Sequence, residues 1–154
     1  MNRRTMLLAV AVSFVGVTAG FAADPNMGTW KLNEAKSKFT PGAPKNRTVV
    51  YEAAGDSVKV TVDGVDSKGT PLHSEWTGKI DGKDYAVTGN PNADMRSYKR
   101  VNDQTLTFTE KKAGKVTTTG RVVVAADGKS RTVTTTGTDP QGQKFNTTAV
   151  YDKQ

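Results

Sequence analysis

Side chains able to bind an anion recur at every second position near the middle of the chain. Arg96, Tyr98 and Arg100 would share one face of a β-strand, because successive side chains of a strand point to opposite sides. This spacing puts a phenol between two guanidinium groups roughly 13 Å apart, and a guanidinium matches the shape of a carboxylate. If this face points inward, the three side chains can hold an anionic ligand. The sequence favours the outward orientation, a solvated basic stripe, because charged groups are seldom buried without partners.

The side chains needed for catalysis are few. The chain has one histidine, His73, and no cysteine, which excludes a thiol nucleophile and a metal site built from His and Cys. Ser74 would point away from His73 and Glu75 on a strand, so these neighbours cannot form a triad. We interpret His73 as an ordinary surface or rim residue. Each Asp-Gly pair supplies a single carboxylate, which favours hairpin turns over calcium loops. The sequence therefore predicts a protein that is not an enzyme and has no metal or cofactor.

Turn residues divide the chain after Asn26 into short segments rich in Val, Thr, Tyr and Phe, the residue types that suit a half-buried sheet. Asp-Gly pairs favour tight hairpins, so neighbouring segments should be antiparallel. Glu34–Phe39 is the best helical candidate, one or two turns long, with Asn33 as its cap. Ten strands are predicted, at Gly28–Asn33, Arg47–Ala53, Ser57–Val62, Leu72–Lys79, Tyr85–Thr88, Met95–Val101, Thr105–Lys111, Lys115–Val124, Arg131–Gly137 and Lys144–Tyr151.

A meander of this length would leave two unpaired edges if it stayed open. Closing into a barrel removes both edges. The sequence therefore predicts an all-β fold, an antiparallel up-and-down barrel of eight to ten strands in which the strand ending at Tyr151 pairs with the one beginning at Gly28. A two-sheet sandwich is the alternative.

Both ends of the predicted barrel resemble a known group of proteins. Gly28-Thr29-Trp30-Lys31-Leu32 is similar to the Gly-x-Trp signature of lipocalins and to the opening of fatty-acid-binding proteins. Val150-Tyr151-Asp152-Lys153 is similar to the ending of the same ten-stranded barrels. The resemblance to this calycin superfamily implies that Trp30 plugs one end of a lipocalin-like barrel.

The chain departs from the fatty-acid-binding pattern at two points. The segment between the first two strands, residues 34–46, is too short and too rich in Pro and Gly for the helical lid of that family. Ala149 stands where the family has a carboxylate-binding arginine, and only Tyr151 of that pair is retained. Arg96 and Arg100 are the candidates to replace the missing arginine.

The N-terminal segment has the layout of a secretory signal peptide, with Arg3-Arg4 before the apolar run Met6–Val17 and small residues after it. Cleavage is predicted after Ala22, with Ala23 as the alternative, and the arginine pair leaves twin-arginine export open. The apolar run is shorter than the roughly 20 residues that span a bilayer. The mature chain, residues 23–154, should thus be a single periplasmic or secreted domain without an integral membrane segment.

Two functions remain open at this stage. In the first, the barrel binds a small amphipathic or hydrophobic molecule, with Tyr98, Phe108, Phe145 and Tyr151 lining the cavity. In the second, it is a ligand-free structural or interaction module of the cell envelope, whose loops, such as Gly89–Asp94 or residues 138–143, contact an unknown protein partner. Nucleic acid is not indicated as a partner, because the net charge of +7 comes from basic residues interleaved with acids.

Overall fold

The computed structural model describes residues 24–154, so the predicted signal peptide, residues 1–22, lies outside the described residues. Ten antiparallel strands form a closed up-and-down barrel in which each strand pairs with its sequence neighbours and the tenth pairs with the first. The predicted all-β barrel is confirmed, and the sandwich alternative is wrong. Residues 24–154 include no helix that is long and apolar enough to cross a bilayer.

The ten strands agree with the predicted segments to within a few residues, except at the first strand. They are β1 (Gly28–Phe39), β2 (Lys45–Ala54), β3 (Ser57–Val65), β4 (Pro71–Gly78), β5 (Tyr85–Thr88), β6 (Met95–Asn102), β7 (Thr105–Lys112), β8 (Lys115–Val124), β9 (Ser130–Thr138) and β10 (Lys144–Lys153).

The predicted helical turn at Glu34–Phe39 is wrong, because these residues continue β1. The pairing with β10 shifts between Asn33, opposite Val150, and Lys38, opposite Thr148, so β1 carries a bulge. The Asn33 side chain accepts a hydrogen bond from the Lys36 amide at 3.2 Å, and its carbonyl accepts one from the Ser37 hydroxyl at 2.6 Å. The capping chemistry expected of Asn33 is thus present, but it stabilises a bulge.

Trp30 is buried near the start of β1, at one end of the barrel. Its position in β1 pairs with Val49 of β2 on one side and Lys153 of β10 on the other. The indole is fully buried and donates a hydrogen bond to the Asn26 carbonyl at 2.9 Å. Removing such a ring costs about 3–5 kcal/mol, so Trp30 contributes substantially to the stability of the barrel.

The second tryptophan, Trp76, is packed in the interior of the barrel. Trp76 of β4 is 1% exposed and donates to the Arg96 carbonyl at 2.9 Å. Its ring meets that of Tyr98 edge to face, with centroids 4.8 Å apart. Edge-to-face pairs add to the stabilisation from burial. This pair links β4 to β6, which are separated in the sheet by the short strand β5.

Gly120 in β8 lies directly opposite Phe108 in β7. A Cβ atom at position 120 would lie 2.2 Å from the Phe108 ring and 2.8 Å from the Thr134 carbonyl oxygen. The glycine therefore allows the Phe108 ring to cover the β8 backbone on the inner side of the barrel.

Replacing Gly120 with alanine should destabilise the barrel by about 1–3 kcal/mol, because the ring or the β9 backbone must move. Thr119→Ala, an exposed neighbour on the same strand, should change the free energy of unfolding by less than about 1 kcal/mol. Urea unfolding of both variants measures the difference. Equal losses would contradict the proposed fit between Gly120 and Phe108.

Candidate functional site

The barrel encloses a cavity of about 110 Å³. All strands except β5 contribute to its wall. Aromatic and aliphatic groups predominate along β2 and β10, whereas amide, hydroxyl and charged groups cluster around β6, β7 and the Gly89–Asp94 loop. A wall of this kind can bind a molecule that has both apolar and polar parts.

Five of the six side chains predicted to bind a ligand line this cavity. They are Arg96, Tyr98, Phe108, Phe145 and Tyr151. The sixth, Arg100, does not: it is exposed at the end of β6 and pairs there with Asp24. β6 extends beyond the cavity before it reaches Arg100. Arg96 and Tyr98 therefore line the cavity, whereas Arg100 does not.

The favoured outward orientation of the β6 face is wrong for Arg96 and Tyr98, each of which is 5% exposed. The reason is Glu110, which lies opposite Arg96 in the pairing of β6 with β7. Its Oε1 atom accepts hydrogen bonds from Arg96 Nε at 2.8 Å and Nη2 at 2.5 Å. Burial opposes the charge on Arg96, but the carboxylate outweighs burial and raises the pKa of Arg96 above its ordinary value.

Glu110 was not predicted as a site residue, although the sequence carries a signal for it. Leu106 and Phe108 already marked the inward face of β7 by alternation, and Glu110 is the next residue on that face. A buried acid required a buried base on the neighbouring strand, and Arg96 is that base.

Arg131 is the second residue that sequence analysis missed. It is 3% exposed and lines the cavity from β9, opposite Tyr151. Its guanidinium carbon lies 4.8 Å from the Trp30 ring, 4.9 Å from the Tyr51 ring and 5.1 Å from the Tyr151 ring. Three aromatic faces thus surround one cation, an arrangement that stabilises its charge.

The aromatic rings stabilise the charge of Arg131 but leave hydrogen-bond donors of its guanidinium without acceptors. Its Nε and Nη1 atoms are buried and have no hydrogen-bond partner among residues 24–154. Aromatic faces compensate charge, but they are not carboxylate or carbonyl acceptors. Most buried polar groups in proteins do have a partner, so this guanidinium retains an unused capacity to donate.

Two buried tyrosines, Tyr98 and Tyr151, also belong to the cavity wall. Burial raises the pKa of Tyr151 to about 12, and its hydroxyl donates to the Asn46 carbonyl at 2.8 Å. Burial also raises the pKa of Tyr98, and the nearby Tyr51 adds to the effect; the two hydroxyl oxygens are 3.4 Å apart. Tyr98 and Tyr151 therefore stay neutral over the physiological range.

The Gly89–Asp94 loop folds over the cavity at the end opposite Trp30. Asn92 donates to the Thr138 carbonyl at 2.9 Å, and its own carbonyl accepts from the Thr117 hydroxyl at 2.8 Å. Ala93 is 2% exposed. Asn90 and Asn92 consequently present amide groups to the cavity from a loop that is tied to β8 and β9.

The remaining sequence candidates lie elsewhere. His73 is exposed, with Nδ1 2.6 Å from Asp63, and this hydrogen bond raises the pKa of His73. Ser74 points to the other side of β4, into the cavity, as the alternation of side chains predicted. Within the described part of the chain no cluster of three or more His, Cys, Asp and Glu side chains is placed to hold a metal ion.

No protein-family model matches the chain, and neither does any curated protein sequence. Several solved β-barrels do match. The redesigned barrel mFAP1 bound to DFHBI gives a TM-score of 0.43 at 15% identity, covering 86% of this chain and 98% of that chain. EF1p2_mFAP2b bound to DFHBI gives 0.47 at 12% identity, with 86% and 97% covered. Bovine odorant binding protein complexed with its natural ligand gives 0.38 at 11% identity, with 86% and 73% covered. These values are too low to indicate a family or a ligand, so the fold assignment depends on the strand pairing itself.

Removing the charge of Glu110 should leave Arg96 buried and unpaired, so Glu110→Gln should cost about 3–5 kcal/mol. Asp84→Asn is the matched control, because Asp84 pairs at 2.7 Å with Lys111, where both side chains are about one-third exposed. That change should cost less than about 1 kcal/mol. Urea unfolding at neutral pH distinguishes the two, and a small loss in Glu110→Gln would contradict a structural role for the buried pair.

The buried phenols should make the barrel sensitive to alkali. The folded pKa of Tyr151, about 12, lies above its ordinary value of 10.0. The neutral phenol is thus favoured by folding, which stabilises the protein in full below pH 10 and progressively less as the pH rises toward 12. Between about pH 9 and 11, the urea midpoint of wild type should fall more steeply than that of Tyr151→Phe. Identical slopes would show that Tyr151 is not buried as described.

Proposed function

We propose that this protein is exported and that its mature barrel binds a small molecule with both apolar and polar parts in the central cavity. The observation that carries the proposal is the cavity itself, which combines aromatic walls with a buried guanidinium, that of Arg131, two of whose nitrogen atoms have no hydrogen-bond partner among the described residues. A core that served stability alone would gain by filling this space with apolar side chains. Export rests on the N-terminal segment alone.

The size of the cavity restricts the ligand. An engineered apolar cavity of about 150 Å³ holds one benzene molecule, and typical sites for drug-sized ligands measure about 300–1,000 Å³. At about 110 Å³, this barrel suits a ligand of only a few carbon atoms. A long fatty-acid chain would not fit inside it, which separates this proposal from the activity that the resemblance to fatty-acid-binding proteins implied.

The alternative is a ligand-free module that contacts another protein through its loops. The two functions respond differently to a change that fills the cavity and leaves the outer surface intact. Thr135 and Thr134 provide the pair: Thr135 lines the cavity, whereas its neighbour Thr134 is exposed on the outside of β9.

Wild type, Thr135→Phe and Thr134→Phe should be purified from the protein's own host and compared by native mass spectrometry. We expect wild type and Thr134→Phe to carry a small bound molecule, and Thr135→Phe to have lost it because the new ring occupies its place. The intact mass also reports whether residues 1–22 have been removed. Thermal unfolding verifies that both variants are folded. The absence of a bound molecule from all three proteins would contradict the proposed function.

A further inference from the structure

The charges that face the cavity do not balance. The charged side chains in its wall are Arg96, Glu110 and Arg131. Arg96 and Glu110 neutralise each other through their paired hydrogen bonds. Arg131 has no acid beside it among the described residues, so the wall carries one uncompensated positive charge.

The surroundings of Arg131 compensate this charge only in part. Trp30, Tyr51 and Tyr151 present their rings to the guanidinium, and such contacts favour a cation. They leave Nε and Nη1 buried without hydrogen-bond acceptors. An isolated buried charge is costly unless it is paired and hydrogen-bonded, and the empty space of the cavity lies next to it.

A carboxylate supplies what the site lacks. It brings one negative charge and two oxygens that together accept several hydrogen bonds, and its bonds to a guanidinium are stronger than those between neutral groups. A phosphate dianion would bring more charge than the single free cation can balance. The walls beyond Arg131 include Val133, Phe145 and Ala149, which suit a short hydrocarbon part.

We propose that the ligand is a small organic monoanion, a short-chain carboxylic acid, whose carboxylate is bound by Arg131. This inference rests on the proposed function and specifies the ligand class for the same cavity. Arg131 lies on β9, so the anion site differs from the arrangement considered at the sequence level, in which Arg96 and Arg100 were the anchors.

Isosteric pairs of probes test the charge without changing the shape. Butyrate and butyramide are one pair, and propionate and propionamide are the other. NMR titrations at constant ionic strength should show that wild type binds each carboxylate about tenfold to a hundredfold more tightly than its amide, the range expected for charge-assisted hydrogen bonds. The Nε–H signal of Arg131 should shift as the carboxylate binds.

The variant Arg131→Met removes the charge and keeps an apolar chain of similar length. It should bind each acid and its amide equally, and without added anion it should unfold at a temperature no lower than wild type does, because it lacks the unpaired buried cation. Arg121→Met is the matched control, since Arg121 is exposed on the outside of β8, and it should keep the wild-type preference. If Arg131→Met does not fold, Arg131→Lys should retain a weakened preference for the acids.

Each remaining outcome overturns the proposal in a distinguishable way. Equal binding of acid and amide by wild type would overturn the anion site and leave the cavity function standing. The same holds if neither probe pair binds while native mass spectrometry still shows a bound molecule. Chloride that binds as tightly as butyrate would identify a site for inorganic anions and overturn the organic ligand. If no probe binds and no bound molecule is found, the proposed function fails as well.

Discussion

The pairing of β10 with β1 is the interaction on which the rest of the structure depends. It turns an open meander with two exposed edges into a continuous ladder of backbone hydrogen bonds. The same pairing brings Trp30 close to β9, so that Arg131 faces the indole and also contacts the Tyr151 ring of β10. Closure of the sheet therefore positions the aromatic groups around Arg131.

The two buried arginines show two ways of keeping a cation inside a small barrel. Arg96 is held by Glu110, and such a pair adds little net stability relative to apolar side chains, although it penalises any arrangement that separates the partners. Arg131 is held by aromatic rings and retains unused donors. Glu110 accepts hydrogen bonds from Arg96 Nε and Nη2. The Nε and Nη1 atoms of Arg131 have no hydrogen-bond partner among the described residues. This difference is why the proposed ligand site centres on Arg131.

Most of the fold could be predicted from the sequence, because it is encoded locally. Turn pairs and alternating Val and Thr residues mark hairpins without any knowledge of distant contacts, and the strand limits followed from them. The helical turn at Glu34–Phe39 was wrong for the opposite reason. The short polar segment carries a local capping signal at Asn33, while the backbone of β10, more than 100 residues away in sequence, holds it as a bulged strand.

The candidate site was less predictable, since it depends on which residues face each other across strands. Phe108, Phe145 and Tyr151 were predicted at the cavity from residue type and alternation, and all three line it. The orientation of Arg96 was misjudged because its partner is defined by the register of β6 against β7. Arg131 was missed because a lone arginine at the start of a strand looks like a solvated residue until the rings of β1, β2 and β10 are seen around it.

Because the Trp30 indole packs against Arg131, its fluorescence is sensitive to the charge next to that arginine. The ring is shielded from water and lies 4.8 Å from the guanidinium carbon, so its emission senses the electric field of that cation directly. A neutralising charge brought next to Arg131 changes this field, to which the Lys153 ammonium, 5.3 Å from the same ring, also contributes. An anion bound beside Arg131 would therefore change the emission of Trp30, which is measured together with that of the second tryptophan, Trp76.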